Sequence, residues 1–190
     1  MDPYNACMGA VQELAVELGA EERTLRRAVS LGMLRCSRGG PRRLRLEVGE
    51  REYLEGHWEL LAALRRALRS ERRVRLAVLY GSVARGDEDS GSDLDLLVSL
   101  RGDRASDAFG LATRLGRIAG RRVDIARLER VDAKAPLLLE RILDEGRVLV
   151  DRDGLWSLLR ERRRAIHARA MRAHRRQVAG ARQAIAELSA

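Results

Sequence analysis

The sequence predicts an α/β (α+β) chain in four parts: a small helical unit with a hairpin, a long connecting helix, a small mixed-sheet domain and a basic C-terminal helix. Three observations predict it. Apolar residues recur at three- and four-residue spacing through residues 50–70, the pattern of an amphipathic helix. Short apolar runs at 74–80 and 93–100 stand between glycine- and serine-bearing turns, as buried strands do. Charge, finally, is segregated. Residues 71–154 hold 16 basic and 16 acidic side chains, whereas the net +9 comes from residues 1–70 (12 against 10) and 155–190 (9 against 2). The expected boundaries are therefore 1–48, 49–70, 71–154 and 155–190.

In the first part, Val11, Leu14, Ala15 and Leu18 share a helical face, and Gly19 follows as a turn residue able to take positive φ. Glu21-Glu22 opens a second helix, where carboxylates suit the helix dipole, with Leu25, Ala28 and Val29 facing inward. Residues 34–46 read as a hairpin turning at Gly39-Gly40-Pro41, its second strand alternating arginine and leucine. The spacing of Ala15, Gly19 and Leu25 resembles a helix-turn-helix, and with the basic hairpin a winged helix. That resemblance implies DNA as a partner. Arg23, Thr24, Arg26 and Arg27 would meet base edges in the major groove, and Arg38, Arg42 and Arg43 would lie on the wing. The alternative is a packing or dimerisation unit with an arginine-rich surface.

Residues 50–70 place Tyr53, Leu54, His57, Trp58, Leu61, Leu64 and Leu68 on one face, which should pack on the sheet and join the parts rigidly. His57 reads as a helix-face residue rather than a ligand. The sheet domain is expected to run strand 74–80, a short helix from Gly81-Ser82, strand 93–100, helix 105–119, strand 122–128, a helix around 136–145 opened by Pro136, and strand 147–150. The tail from 155 to 188 is helical, basic and weakly amphipathic, with Gly180 expected to interrupt it. Its arginines could equally hold RNA, a protein partner or a second copy of the chain. Arg162 and Arg169 each precede a histidine (His167, His174) by five positions, a spacing that an arginine-rich tail produces by chance.

Several classes are disfavoured. No run of eighteen apolar residues predicts a membrane span, and the first residues lack the basic start and apolar core of a secretory signal. Cys7 and Cys36 are too few and too far apart for a zinc site or disulfide framework, and a cytoplasmic location is expected. No Ser/His/Asp hydrolase pattern stands out.

The chemistry lies in Leu79-Tyr80-Gly81-Ser82-Val83-Ala84-Arg85-Gly86 and, ten residues after Ser82, Asp93-Leu94-Asp95. Because strand side chains alternate, Asp93 and Asp95 share a face while Leu94 and Leu96 take the other. Two acids on an apolar strand are costly to bury unpaired and call for a hard cation, for which oxygen-only ligands beside a phosphate suit Mg²⁺. Gly81 lets backbone approach a phosphate, and Ser82 offers a hydroxyl and an N–H at a helix start. Arg85, one turn on, can bond a phosphate oxygen or pair with Asp87 or Glu88. Asp124, flanked by Val123 and Ile125 on the next strand, is the natural third carboxylate.

Gly81-Ser82, ten residues, then Asp93-x-Asp95 resembles the signature of the minimal nucleotidyltransferases of the DNA polymerase β-like superfamily, over roughly residues 76–128. The resemblance implies a polymerase β-like fold, two Mg²⁺ ions held by Asp93, Asp95 and Asp124, and ATP or another nucleoside triphosphate held by Gly81, Ser82 and Arg85. The third acid, on the neighbouring strand, would help deprotonate the attacking hydroxyl. Minimal family members with this spacing often stand beside a HEPN-type toxin and transfer AMP to one of its tyrosines, so an antitoxin that represses its own promoter is the expected function. Transfer to a tRNA or a small hydroxylated molecule, or a regulator that only senses nucleotides, are the alternatives.

Overall fold

The computed structural model describes residues 5–38, 44–102 and 105–188. Helix α1 (Asn5–Glu17) buries Leu14 and Ala15, and Gly19, at φ 59°, turns the chain into α2 (Glu22–Leu31), whose Leu25 and Ala28 are fully buried. Strands β1 (Cys36–Arg38) and β2 (Leu44–Leu46) pair antiparallel with Cys36 opposite Leu46. The hairpin's turn, with Arg42 and Arg43, lies outside the described residues, as does the side chain of Arg38. Helix α3 (Glu50–Ser70) buries Tyr53, Leu54, Trp58, Leu61, Leu64 and Leu68, the stripe that its spacing predicts.

The sheet begins with β3 (Val74–Tyr80), followed by α4 (Gly81–Arg85), β4 (Leu94–Leu100), α5 (Ala105–Ala119) and β5 (Val123–Arg127). Helices α6 (Leu128–Lys134) and α7 (Pro136–Glu145) lead to β6 (Arg147–Asp151), and α8 (Leu155–Glu161) and α9 (Arg163–Leu188) follow. The strand order is β5-β4-β3-β6. β3 pairs antiparallel with β4 and with β6, while β4 and β5 are parallel, joined by the α5 crossover that a parallel pair requires.

Both faces of this sheet are covered, which explains why its strands read as almost unbroken apolar runs. Ala77, Leu79, Leu94, Leu96 and Val98 face a core shared with α3, α5 and the N-terminal helices. Leu76, Val78, Leu97 and Val148 face a second core, closed by Leu139 and Ile142 of α7, Trp156 and Leu159 of α8 and Ile166 of α9. The N-terminal unit is not separate from the sheet. The Val148 N–H donates to the Gly32 carbonyl at 3.1 Å, and Arg147, 1 % exposed, donates to the Met33 carbonyl at 3.3 Å while forming a two-pronged pair with Glu50 of α3 at 2.6 and 2.9 Å.

Three expectations need correction. The tail breaks at Arg162, between α8 and α9, and α9 runs straight through Gly180. An exposed glycine costs a helix only about 1 kcal/mol, too little to end one made of alanine, arginine and glutamine. A helix, α6, stands where none is expected, held by only two buried residues, Leu128 and Val131. Asp93 precedes β4 rather than opening it. Among the described residues no helix is long and apolar enough to cross a membrane.

Candidate active site

The site forms where β3 gives way to α4. Gly81 sits at φ 77°, in the left-handed region, and a Cβ there would press on the Asp95 Oδ2. Glycine therefore serves this position twice, in conformation and in space. In the sheet register Tyr80 stands opposite Asp95, and Asp95 opposite Asp124. The three form a row across β3, β4 and β5, on the side that Asp93 enters.

The electrostatics reflect this crowding. The Asp95 carboxyl is raised above the ordinary aspartate value, first by burial and then by the charges of Asp124, Asp93 and Glu145, with Arg85 opposing. The Tyr80 hydroxyl is pushed up to about 12 by burial and by Asp95, Asp124 and Glu145. The negative charge at Asp95 is therefore only partly compensated by the protein.

Two arginines lie among these acids. Arg122 lies over the outer acids, its Nη2 donating to Asp124 Oδ2 at 2.9 Å and its Nε standing 3.4 Å from Asp93 Oδ2. Arg85 donates from Nε to Asp87 at 3.0 Å and from Nη1 to Glu145 Oε2 at 2.9 Å. Glu145 also accepts the Gly81 N–H at 3.1 Å, so a carboxylate occupies the amide and guanidinium facing the turn. Ser82 is half-buried at the start of α4, and its carbonyl accepts the Gly86 N–H at 2.8 Å.

The structure thus gathers Gly81, Ser82, Arg85, Asp93, Asp95 and Asp124 at one end of the sheet, and it adds Arg122 and Glu145. Arg122 was legible in principle, since it stands two residues before Asp124 and so shares its face. Glu145 had no local signal: it ends a helix sixty-four residues from Gly81. Among the described residues no three carboxylate, imidazole or thiol groups are gathered closely enough to hold a metal as they stand. The donors are all oxygen, as a hard cation prefers, and Asp95 carries the surplus charge that a cation would neutralise.

The remaining candidates lie elsewhere. Arg23 and Arg26 are exposed on α2, Arg26 held to Glu22 at 2.7 Å, and Thr24 is half-buried. Arg27 turns toward a cleft against α3 and β6. His57 stacks on Tyr53 at 4.1 Å and bonds Glu88 at 2.7 Å. The Cys36 thiol is pushed up to about 11 by burial, Glu50 and Glu47, which disfavours the reactive thiolate.

Residues 63–154 match the family described as "Polymerase beta, Nucleotidyltransferase". The fold is similar to that of a crystal structure of a toxin–antitoxin with AMP-PNP, at TM-score 0.53 and 18 % identity, covering 65 % of this chain and 98 % of that one. A mutant of the toxin–antitoxin MntA-HpeT is similar at TM-score 0.53 and 17 % identity, with the same coverage. A comparison with curated proteins finds no match.

Proposed function

We propose that the chain transfers a nucleoside monophosphate, AMP from ATP, to a tyrosine hydroxyl of a HEPN-type toxin, and so acts as an antitoxin. The observation that carries this reading is the convergence of Asp93, Asp95 and Asp124 beside Gly81, where negative charge exceeds what Arg122 and Arg85 neutralise. The likeness to a toxin–antitoxin holding AMP-PNP supports both the nucleotide and the kind of partner.

In this reading the Gly81 N–H and Arg85 exchange Glu145 for phosphate oxygens, and Ser82 adds its hydroxyl. Asp93, Asp95 and Asp124 would hold two Mg²⁺ ions, which when bound neutralise the triphosphate and the departing pyrophosphate. Arg122, 70 % exposed, swings from the acids toward the phosphates. The acceptor oxygen attacks the α-phosphorus in line, forming a new P–O bond as the bond to the bridging oxygen breaks. Pyrophosphate leaves with that electron pair, and the hydroxyl proton passes to Asp124, whose half-exposed carboxylate can return it to water.

The test is transfer of label from α-labelled ATP to the product of a neighbouring toxin gene, with and without Mg²⁺. Asp93→Ala and Asp95→Ala should each abolish it while leaving the chain folded, and undiminished transfer by either would remove the assignment. Autoregulation adds DNA as a partner. The exposed Arg23 and Arg26 support that role, and their joint replacement by alanine should weaken promoter binding about tenfold at fixed salt. Unchanged binding would move the contact to another surface.

A further inference from the structure

A second cationic site stands away from the aspartates, in the seam between α2, α3 and β6. The cleft there has a volume of about 470 Å³ and is lined by Arg27 of α2, Arg65 and Arg69 of α3, and Asp151 and Arg152 at the end of β6. Arg65 and Arg69 are one helical turn apart and project together. The Nε of Arg65 is shielded from solvent and has no hydrogen-bond partner. Burial and the charges of Arg69 and Arg27 make the Arg65 guanidinium less basic than usual. Among the described residues no carboxylate pairs with Arg27, Arg65 or Arg69.

The three other polar side chains in the cleft are already engaged. The Ser30 hydroxyl donates to the Arg27 carbonyl at 3.0 Å. Asp151 accepts the N–H groups of Leu155 and Trp156 at 2.9 and 3.2 Å, capping α8. Arg152 donates to the carbonyls of Arg69 and Glu71 at 2.6 and 3.3 Å. Four guanidiniums thus face one carboxylate in a recess, and like charges so placed repel unless an anion joins them. Arginine is the side chain best matched to phosphate oxygens, through its planar fork of donors.

We infer that this cleft binds a small oligophosphate, with Arg27, Arg65 and Arg69 as its phosphate ligands. The recess has the size of a small-molecule site. Its concave shape, formed by elements from both parts of the chain, suits a compact ligand better than a duplex, which is read by a helix standing proud of the surface. A ligand here touches α2, α3 and the strand that follows Glu145, so it ties the N-terminal unit to the sheet. The site is independent of the proposed transfer reaction and uses none of its residues.

The test is calorimetric titration of the full chain with inorganic tripolyphosphate in EDTA, which removes any contribution from metal-dependent binding. One equivalent should bind, and affinity should fall at least about tenfold in Arg65→Met and in Arg27→Glu. The second variant alters an exposed position and guards against misfolding of the first. Asp95→Asn should leave the titration unchanged, which separates this site from the aspartates. ATP binding equal to tripolyphosphate would show that phosphates alone are held, and tighter ATP binding would add a nucleoside subsite; either upholds the inference. No binding at about 1 mM, binding indifferent to both arginine variants, or binding lost in Asp95→Asn would overturn it. So would a duplex oligonucleotide that depends on these arginines while tripolyphosphate does not bind.

Discussion

Gly81 holds a backbone angle of 77° with Asp95 Oδ2 where its side chain would be, so Gly81→Ala meets two penalties at once. The left-handed conformation alone costs an alanine about 1–2 kcal/mol, and displacing Asp95 adds to it. A loss of about 2–3 kcal/mol in urea unfolding is expected, together with loss of nucleotidyl transfer. Asp95 illustrates the opposite balance. Its carboxyl is raised in the folded chain, so between the ordinary aspartate value and the raised one the native state holds more protons than the unfolded. Stability therefore falls as pH rises through that window, and the cost persists at neutral pH. Asp95→Asn should raise the melting temperature by about 1–3 °C at pH 7 in EDTA, and the gain should shrink as pH falls and vanish below about pH 3, where the carboxyl is neutral in the folded and unfolded chain alike. These residues were legible in the sequence because glycine, serine and paired acids carry their reasons locally. Glu145 was not, because nothing near it in the chain says that its carboxylate reaches Gly81.

Element by element, the strongly periodic segments were the readable ones. Residues 50–70 repeat leucines and aromatics at helical spacing, and α3 spans those same residues. The runs at 74–80 and 94–100 are apolar on both faces because helices cover both faces. Helix α6 escaped notice because seven residues with one buried pair leave too short a period to see. At Gly180 a local preference was set against a long helix, and the helix won. The first residue of α3 is one half of an interior ion pair. Glu50 and Arg147 are almost wholly buried together, with Arg147 also donating to the Met33 and Ala84 carbonyls and lying 3.5 Å over the Tyr53 ring. Removing one partner of such a pair leaves a buried charge, at a cost of about 3–5 kcal/mol. Glu50→Ala should lose that much in chemical denaturation, and a paired replacement of Glu50 and Arg147 by apolar residues should recover most of it.

At the scale of the whole molecule, charge and architecture divide the work. The electrically balanced segment 71–154 holds the aspartates, and the arginine excess lies in the flanks. Part of that excess is internal wiring. Arg35 donates to the carbonyls of Ala84 and Glu145 at 3.2 and 2.9 Å, and Arg169 and Arg163 of α9 pair with Asp132 and Asp144. The division at residue 49 that charge and composition suggest is therefore not a line of weakness. A fragment of residues 49–190 loses the Arg35 donor and the Met33 carbonyl, and should unfold at least about 5 °C below the full chain.

The two parts of the chain meet on the Ala84 carbonyl. It sits inside the five-residue helix after the glycine–serine turn and accepts from Arg35 on one side and Arg147 on the other. Two guanidiniums, one from before the turn in the chain and one from after it, grip one oxygen, so the turn has a fixed seat rather than a hinge. A lineage that exchanged its N-terminal unit for another would have to supply a replacement for Arg35.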